Sequence, residues 1–293
     1  MEKEIQTCQK KGKKVLLSLG GASGSYGLNS GKDGKMWADQ LWNTFGNGQV
    51  GNKRPFGKAV VDGFDLDIEA GSVEGYSTFV KTMRQHYLKD KSKTYYISGA
   101  PQCPYPDAWL GDALNQEWFD FVWIQFYNNY CSVKGGQFNY DTWENWAKKK
   151  SKNKNVQLFL GIPASASAAG SGYVPLSDLV KTISKLKSSP HFGGVMMWDV
   201  SQAYAQKVNF AKAVAKLVHK IKNNGGDDQD DKPITTETAA INIPTSSLAR
   251  INSPTGTLTT KSKPSNKNSN NRNHHQHRTS TLLSAPSNTP ESR

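Results

Sequence analysis

Cysteine is scarce in this chain of 293 residues, which has three, and long hydrophobic runs are missing altogether. Cys8, Cys103 and Cys131 have neither the CxxC spacing nor the companion histidines of zinc sites, so a structural zinc is not expected. One disulfide and one unpaired thiol is the simplest account of them. No run approaches the ~20 apolar residues that span a bilayer, and residues 1–14 lack the apolar core of a secretory signal. We therefore expect no membrane span and no targeting signal in the chain as written.

Aromatic residues are absent from residues 225–293, which are rich in Ser, Thr, Asn and Pro. Such a segment cannot bury enough apolar surface to offset the entropy of ordering, so we predict a disordered tail after a globular domain at residues 1–224. Three histidines in the tail, His274, His275 and His277, could bind a metal ion, although a merely polar tail is the better interpretation. We expect the protein to use no metal and no cofactor.

The net charge of +13 raises the question of nucleic-acid binding. The lysines, however, are spread over predicted helix faces and a loop at 148–155, which favours a solvated surface over a phosphate-binding patch. Attraction to an acidic surface such as a cell wall stays open. We rank nucleic-acid binding last among the functional hypotheses and expect a monomer.

Short runs rich in β-branched or aromatic residues alternate with amphipathic stretches along residues 14–222. These patterns predict strands at 14–20, 59–69, 94–101, 121–129, 156–164 and 193–200. They predict helices at 36–45, 76–88, 142–149, 176–187 and 202–222. Alternating strands and helices indicate parallel strands with helical crossovers, in either a doubly wound sheet or a (β/α)₈ barrel.

The second predicted strand carries an unusual acidic run, VDGFDLDIEAGS, at residues 61–72. Since side chains alternate along a strand, Phe64, Leu66 and Ile68 share one face while three acids, Asp65, Asp67 and Glu69, share the other. Carboxylates spaced about 6–7 Å apart would each cost several kcal/mol if buried and ionised without partners, so they should share protons. A solvated acidic edge or a Mg²⁺ site is the less favoured alternative.

Coupled carboxylates, of which one keeps a proton, are suited to general acid catalysis, and glycoside hydrolysis is the leading candidate reaction. Gln125 and Tyr127 lie on one side of the fourth predicted strand, and Trp198 comes near the end of the sixth. A tyrosine hydroxyl can donate a hydrogen bond, and a tryptophan face can pack against a sugar ring. Core packing is the better account of each residue alone, but their joint occurrence at strand ends favours a binding site.

The run at residues 62–69 resembles the DxxDxDxE signature of family 18 glycoside hydrolases, and residues 18–21 resemble the family's SxGG motif. The segments APQCPYPD, WIQFYNN, AGSGYVP and GGVMMW are similar to those of plant and fungal class III, hevamine-like chitinases. The resemblance covers roughly residues 8–222. It implies a (β/α)₈ barrel that cleaves β-1,4-linked N-acetylglucosamine polymers such as chitin, and an extracellular or cell-wall location.

The resemblance also implies a role for each site residue in a substrate-assisted, retaining reaction. Glu69 matches the general acid, Asp67 the group that orients the substrate's acetamido group, and Asp65 the acid that shares the proton of Asp67. Tyr127 would donate to the acetamido oxygen and Gln125 would contact the same sugar. Trp198 would form the floor of the pocket, Gly20 and Gly21 of the SxGG motif would lie in the substrate site, and Cys103 would pair with Cys131.

Two departures from the family pattern lead to further expectations. The family has two more strands before the SxGG strand, so the barrel should be short by two strands and of low stability. The partner that the family provides for the Cys8 position would lie in that missing segment. A catalytically silent chitin-binding or inhibitor protein on the same fold is the alternative function, although the intact Glu69, Asp67 and Tyr127 argue against it.

Overall fold

A computed structural model of the chain describes residues 1–48, 54–205 and 209–223, with side chains up to residue 219. The predicted tail at 225–293, with its three histidines, lies outside the described residues. Six strands are described: β1 (Leu16–Gly20), β2 (Gly63–Asp67), β3 (Tyr96–Gly99), β4 (Phe121–Gln125), β5 (Gln157–Pro163) and β6 (Phe192–Trp198). Eight helices are described: α1 (Glu2–Lys10), α2 (Gly31–Phe45), α3 (Tyr76–Lys89), α4 (Gly111–Gln116), α5 (Tyr140–Lys149), α6 (Leu176–Leu186), α7 (Val200–Ala205) and α8 (Phe210–Asn223).

The six strands form one parallel sheet in the order β1-β2-β3-β4-β5-β6, and each neighbouring pair is joined by at least one helix. This is the arrangement of a TIM-barrel-like fold, which confirms the predicted fold class. In the described part of the chain β1 pairs with β2 alone and β6 with β5 alone, so the sheet has two edges. None of the helices described combines the length and hydrophobicity that a bilayer crossing requires.

Two helices and several boundaries differ from the predictions. Helix α1 contributes one buried side chain, Ile5, and α4 has six residues, so neither shows the apolar periodicity that identifies a helix. The segment predicted as one helix at 202–222 contains two, since α7 ends at Ala205 and α8 begins at Phe210. The strand predicted at 59–69 forms ladder pairs over Gly63–Asp67, so Glu69 lies two residues beyond its end.

The apolar face of β2 is buried as the alternation predicts. Phe64, Leu66 and Ile68 are each at most 2% exposed and belong to a core cluster with Phe79 and Met83 of α3. Burying each of these side chains contributes about 1.5–3 kcal/mol to folding. This face anchors β2 against the helical layer and turns its acidic side chains to the other face of the sheet.

Asp62, the first carboxylate of the acidic run, lies at the opposite end of β2 from Glu69. It accepts hydrogen bonds from the Val15 backbone N–H at 2.8 Å, from Gln9 Nε2 at 3.0 Å and from Lys93 Nζ at 2.8 Å. Burial opposes ionisation of Asp62, but the bonds from Lys93, Val15 and Gln9 outweigh it and lower its pKa. This aspartate therefore links α1 to the residues just before β1 and β3, and it lies away from the acidic cluster at the other end of β2.

A disulfide joins Cys103, in the loop after β3, to Cys131, in the loop after β4, with their Cα atoms 5.8 Å apart. The pairing confirms the expectation drawn from the family resemblance, and Cys8 is a free, exposed thiol. Asn139 Nδ2 and Trp143 Nε1 both donate to the carbonyl of Cys103, at 2.8 and 3.0 Å. The bridge thus fixes two loops at the carboxyl end of the sheet to α5.

Replacing both Cys103 and Cys131 with alanine is expected to lower the free energy of unfolding by about 2–4 kcal/mol, because a cross-link over 28 residues restricts the unfolded chain. Urea denaturation followed by circular dichroism measures the loss. Cys8→Ala is the matched control, since it removes an exposed thiol that forms no bridge. Equal unfolding midpoints for the double variant and the control would contradict a stabilising role for the disulfide.

Candidate active site

The three predicted acids lie together at the carboxyl end of β2, and Asp65 is the most deeply buried of them. It is paired in register with Ser18 of β1 and Ser98 of β3. Both serine hydroxyls donate to its carboxylate, at 2.7 and 2.6 Å, and Trp123 Nε1 of β4 donates at 2.9 Å. Burial raises the pKa of Asp65 although all three donors favour its charged form. The residue is therefore a fixed acid behind the other two.

Gln125, the last residue of β4, brings Asp67 and Glu69 together. Its Nε2 lies 3.0 Å from Asp67 Oδ1, 3.3 Å from Glu69 Oε1 and 3.0 Å from the carbonyl oxygen of Ala100. Gln125 is 5% exposed, so this amide has a defined orientation. One nitrogen thus holds a carboxylate oxygen of each acid on the same side of the site.

The environment of Asp67 makes its carboxyl a weak acid. Burial, the negative charges of Glu69 and Asp65, and a side-chain hydrogen bond with Glu69 raise the pKa of Asp67 to about 7. Like charges that cannot both be solvated retain a proton between them. Burial and the neighbouring charges thus act on Asp67 in the direction that proton sharing among these acids requires.

The glycines of the SxGG segment lie against the backbone of Asp67. Gly20 has a φ of +101°, and a Cβ at this position would lie 2.3 Å from the carbonyl oxygen of Asp67. The backbone N–H of Gly21 donates to that same oxygen at 2.6 Å. A side chain at Gly20 would push the strand away from Asp67, so glycine is required here for the two strand ends to approach each other.

Trp198 is the last residue of β6, and Tyr127 lies two residues beyond the end of β4. Tyr127 is 7% exposed, and its burial, followed by the charges of Asp67 and Glu69, raises the pKa of its hydroxyl, which therefore stays protonated as a donor. Trp198 pairs in register with Pro163 and is 50% exposed, so its ring is available to a ligand. Hydrogen bonds connect Gln125 to Asp67 and Glu69, and the charges of these two acids act on the hydroxyl of Tyr127. Trp198 is associated with the site by its position at a strand end alone.

Several groups that support the acids are not among the predicted site residues. Ser98 and Trp123 could have been found from the register of parallel strands, because each points to the same face as Asp65. Tyr26 could not: its hydroxyl accepts from the backbone N–H of Glu69 at 2.9 Å across 43 residues of sequence. Loop residues of this kind carry no periodic signal.

Metal binding at these acids receives no support from the side chains that the structure describes. Within residues 1–48, 54–205 and 209–219, no group of His, Cys, Asp or Glu side chains is arranged to hold a metal ion. Hydroxyl and indole donors contact both carboxylate oxygens of Asp65, and an amide donor contacts Oδ1 of Asp67.

Comparisons with known proteins identify the family to which the sequence is similar. Residues 2–178 match the model for glycosyl hydrolases family 18. An endochitinase of Saccharomyces cerevisiae is 54% identical over 207 residues, which are 70% of this chain and 36% of that protein. The chain thus spans about a third of the length of that relative.

Two solved structures have the same fold as the described sheet. A chitinase from Ipomoea carnea, ICChI, matches with a TM-score of 0.65 and 34% identity, over 74% of this chain and 78% of that one. The xylanase and alpha-amylase inhibitor protein XAIP-II from Scadoxus multiflorus matches with the same TM-score and 35% identity, over 73% of this chain and 78% of that one. Similar structures therefore include both a chitinase and an inhibitor.

Proposed function

The chain belongs to family 18 of the glycosyl hydrolases, and from that membership we propose that it is a chitinase that cleaves β-1,4 linkages between N-acetylglucosamine units with retention of configuration. The observation that carries the proposal is the Asp67–Glu69 pair, in which both carboxylates contact one amide nitrogen of Gln125. Asp67, whose pKa is raised to about 7, can hold a proton beside Glu69 near neutral pH for transfer to a leaving group.

In the proposed first step, Glu69 gives its proton to the glycosidic oxygen as the bond between that oxygen and C1 breaks. The carbonyl oxygen of the substrate's own acetamido group forms the new bond to C1, which gives an oxazolinium intermediate. Asp67 stabilises the positive charge of this ring, and Asp65 lies behind it. In the second step water attacks C1 from the face that the leaving group vacated, Glu69 accepts the proton of the water, and the acetamido group is released.

The position of Asp67 supports this substrate-assisted route over a nucleophilic carboxylate. In the two-acid retaining scheme, the carboxyl groups stand on either side of the scissile bond, about 5–5.5 Å apart. Here one carboxylate oxygen of Asp67 and one of Glu69 contact the same nitrogen of Gln125, at 3.0 and 3.3 Å. This shared contact supports a placement of both acids on one side of the sugar, in which the nucleophile comes from the substrate's own acetamido group.

The other site residues are assigned to the sugar that is cleaved. Tyr127, which burial keeps protonated, donates to the acetamido oxygen as this oxygen approaches C1. Gln125 contacts the same sugar, and the exposed ring of Trp198 forms its floor. Gly20 and Gly21 hold the backbone of Asp67 and leave room for the ligand. The Cys103–Cys131 bridge supports an extracellular or cell-wall location, because disulfides persist in oxidising compartments.

Hydrolysis of a fluorogenic chitotriose by the full chain tests the proposed function. We expect turnover of chitotriose and none of the matching cellotriose substrate, because glucose units carry no acetamido group to attack C1. Binding of chitin is measured in parallel by pull-down. Binding without turnover would overturn the proposal in favour of a catalytically silent chitin-binding protein, and turnover of cellotriose at a similar rate would exclude the substrate-assisted route.

A further inference from the structure

Tyr26, in the segment between β1 and α2, joins two backbone groups through a single oxygen atom. Its hydroxyl donates to the carbonyl oxygen of Gly21 at 2.6 Å and accepts from the backbone N–H of Glu69 at 2.9 Å. The side chain is half-buried. One phenolic oxygen thus ties the loop after β1 to the backbone of the proposed general acid.

This contact matters because Glu69 lies beyond the end of the sheet. The ladder between β1 and β2 ends at the pair Gly20 and Asp67, and the ladder between β2 and β3 ends at Leu66. The backbone N–H of Glu69 is therefore held by a side chain and not by a neighbouring strand. The orientation of this peptide group sets the direction in which the carboxyl group of Glu69 points.

The loop that carries Tyr26 is itself fixed against the segment after Glu69. The Leu28 backbone N–H donates to the Ser72 carbonyl at 2.9 Å, and the Ser72 hydroxyl donates to the Leu28 carbonyl at 3.2 Å. Gly71 has a φ of +77°, and a Cβ there would lie 1.8 Å from the carbonyl oxygen of Tyr26. The chain two residues after Tyr26 is thus hydrogen-bonded to the segment after Glu69, and Gly71 lies close against the Tyr26 carbonyl, which gives Tyr26 the support that a positioning group requires.

We propose that Tyr26 is a positioning residue for Glu69: its hydroxyl fixes the Glu69 peptide so that the carboxyl group meets both Asp67 and the glycosidic oxygen. The proposal rests on the function proposed above, since it assigns Tyr26 to the same reaction. Tyr26 touches the backbone of the acid and acts through it. A displacement of about 1 Å at a reacting group can cost a factor of 10² in rate, so one hydrogen bond at this point has a large effect on catalysis.

Tyr26→Phe removes the hydroxyl and keeps the ring, and it is tested in the full chain. We expect kcat on fluorogenic chitotriose to fall by about 10-fold to 100-fold, with KM within about threefold of its original value. Tyr87→Phe is the matched control, because the Tyr87 hydroxyl also donates to a backbone carbonyl, that of Tyr96 at 3.2 Å, away from the acids. The two variants should have similar melting temperatures, and the control should retain its kcat.

A second measurement, the titration midpoint of Asp67, does not depend on activity. It distinguishes a displaced Glu69 from a smaller amount of folded protein. Glu69 contributes to the raised pKa of Asp67 through its charge and a hydrogen bond, so a displaced Glu69 lowers the titration midpoint of Asp67. Carbon-13 NMR of the Asp67 carboxyl group measures that midpoint in the original chain and in both variants. We expect a lower midpoint in Tyr26→Phe alone.

The outcomes distinguish this proposal from the proposed function. A lower Asp67 midpoint in Tyr26→Phe, in a chain that does not turn over chitotriose at all, supports the positioning role and overturns the chitinase. Turnover by the original chain, with Tyr26→Phe matching Tyr87→Phe in both kcat and midpoint, overturns the positioning role. A fall in kcat with an unchanged midpoint also overturns it, because Tyr26 would then support the fold without directing Glu69.

Discussion

Glu69→Gln is expected to lower kcat on fluorogenic chitotriose by about 10²–10⁴-fold, the contribution of a general acid, while the dissociation constant for chitotriose stays within about threefold. Glutamine has nearly the size of glutamate, and its carbonyl oxygen can still accept from Gln125 Nε2 as Glu69 Oε1 does at 3.3 Å. The substitution therefore removes the transferable proton and little else. Steady-state kinetics gives kcat, and titration calorimetry gives the affinity.

Glu74→Gln provides the control, because Glu74 is an exposed glutamate in the segment between β2 and α3. It makes the same chemical change five residues along the chain and should leave kcat unaltered. A loss of less than tenfold in Glu69→Gln would show that another group protonates the leaving oxygen. Loss of chitotriose affinity together with kcat would show that Glu69 binds substrate without serving as its acid.

The acidic face of β2 could be read from the sequence because strand alternation is a local property. Asp65 and Asp67 must face away from Phe64 and Leu66 whatever surrounds the strand, and the buried apolar pair confirms that face. Gln125 is placed by the same rule, since it follows Trp123 by two residues on β4. Alternation in parallel strands therefore predicts which side chains share a surface.

Which other groups contact the acids, and how strongly they interact, depends on distances between segments that are far apart in the sequence. Tyr26 reaches Glu69 because a glycine-rich loop folds back over the end of β2, and no periodicity marks that loop. Similarly, the alternation indicates that the acids interact, but the raised pKa of Asp67 depends on its burial and on its hydrogen bond with Glu69. Such quantities vary steeply over fractions of an ångström, so they emerge from tertiary packing alone.

The raised pKa of Asp67 makes the free energy of unfolding depend on pH. A carboxyl group with a pKa of about 7 in the folded protein and the usual 3.8 in the unfolded chain binds more protons when folded between those pH values. The free energy of unfolding therefore falls as the pH rises from about 4 to about 7. With allowance for partial solvent screening, the contribution of Asp67 is on the order of 2 kcal/mol. Asp65, whose pKa is also raised by burial, contributes in the same direction.

Asp67→Asn is accordingly expected to change stability and activity in opposite directions. Asparagine resembles the protonated aspartate, so the variant should match the original chain near pH 4 and exceed its unfolding free energy by on the order of 2 kcal/mol at pH 8. Its kcat should fall by about 10²–10³-fold, because a neutral amide cannot stabilise the oxazolinium charge. Urea denaturation between pH 4 and 8 and chitotriose kinetics measure the two effects.

Asp112→Asn is the control for both effects, since Asp112 is exposed in α4 and distant in sequence from the acidic run. Its unfolding curves and kcat should follow those of the original chain at every pH. If the free energy of unfolding changed with pH in the same way for Asp67→Asn and the original chain, ionisation of Asp67 would cost no stability. The proposed interaction between Asp67 and Glu69 would then be contradicted. We expect Asp67→Asn to gain stability at pH 8 and to lose turnover. Such a result is expected where the reaction requires like charges to lie close together at a cost in stability.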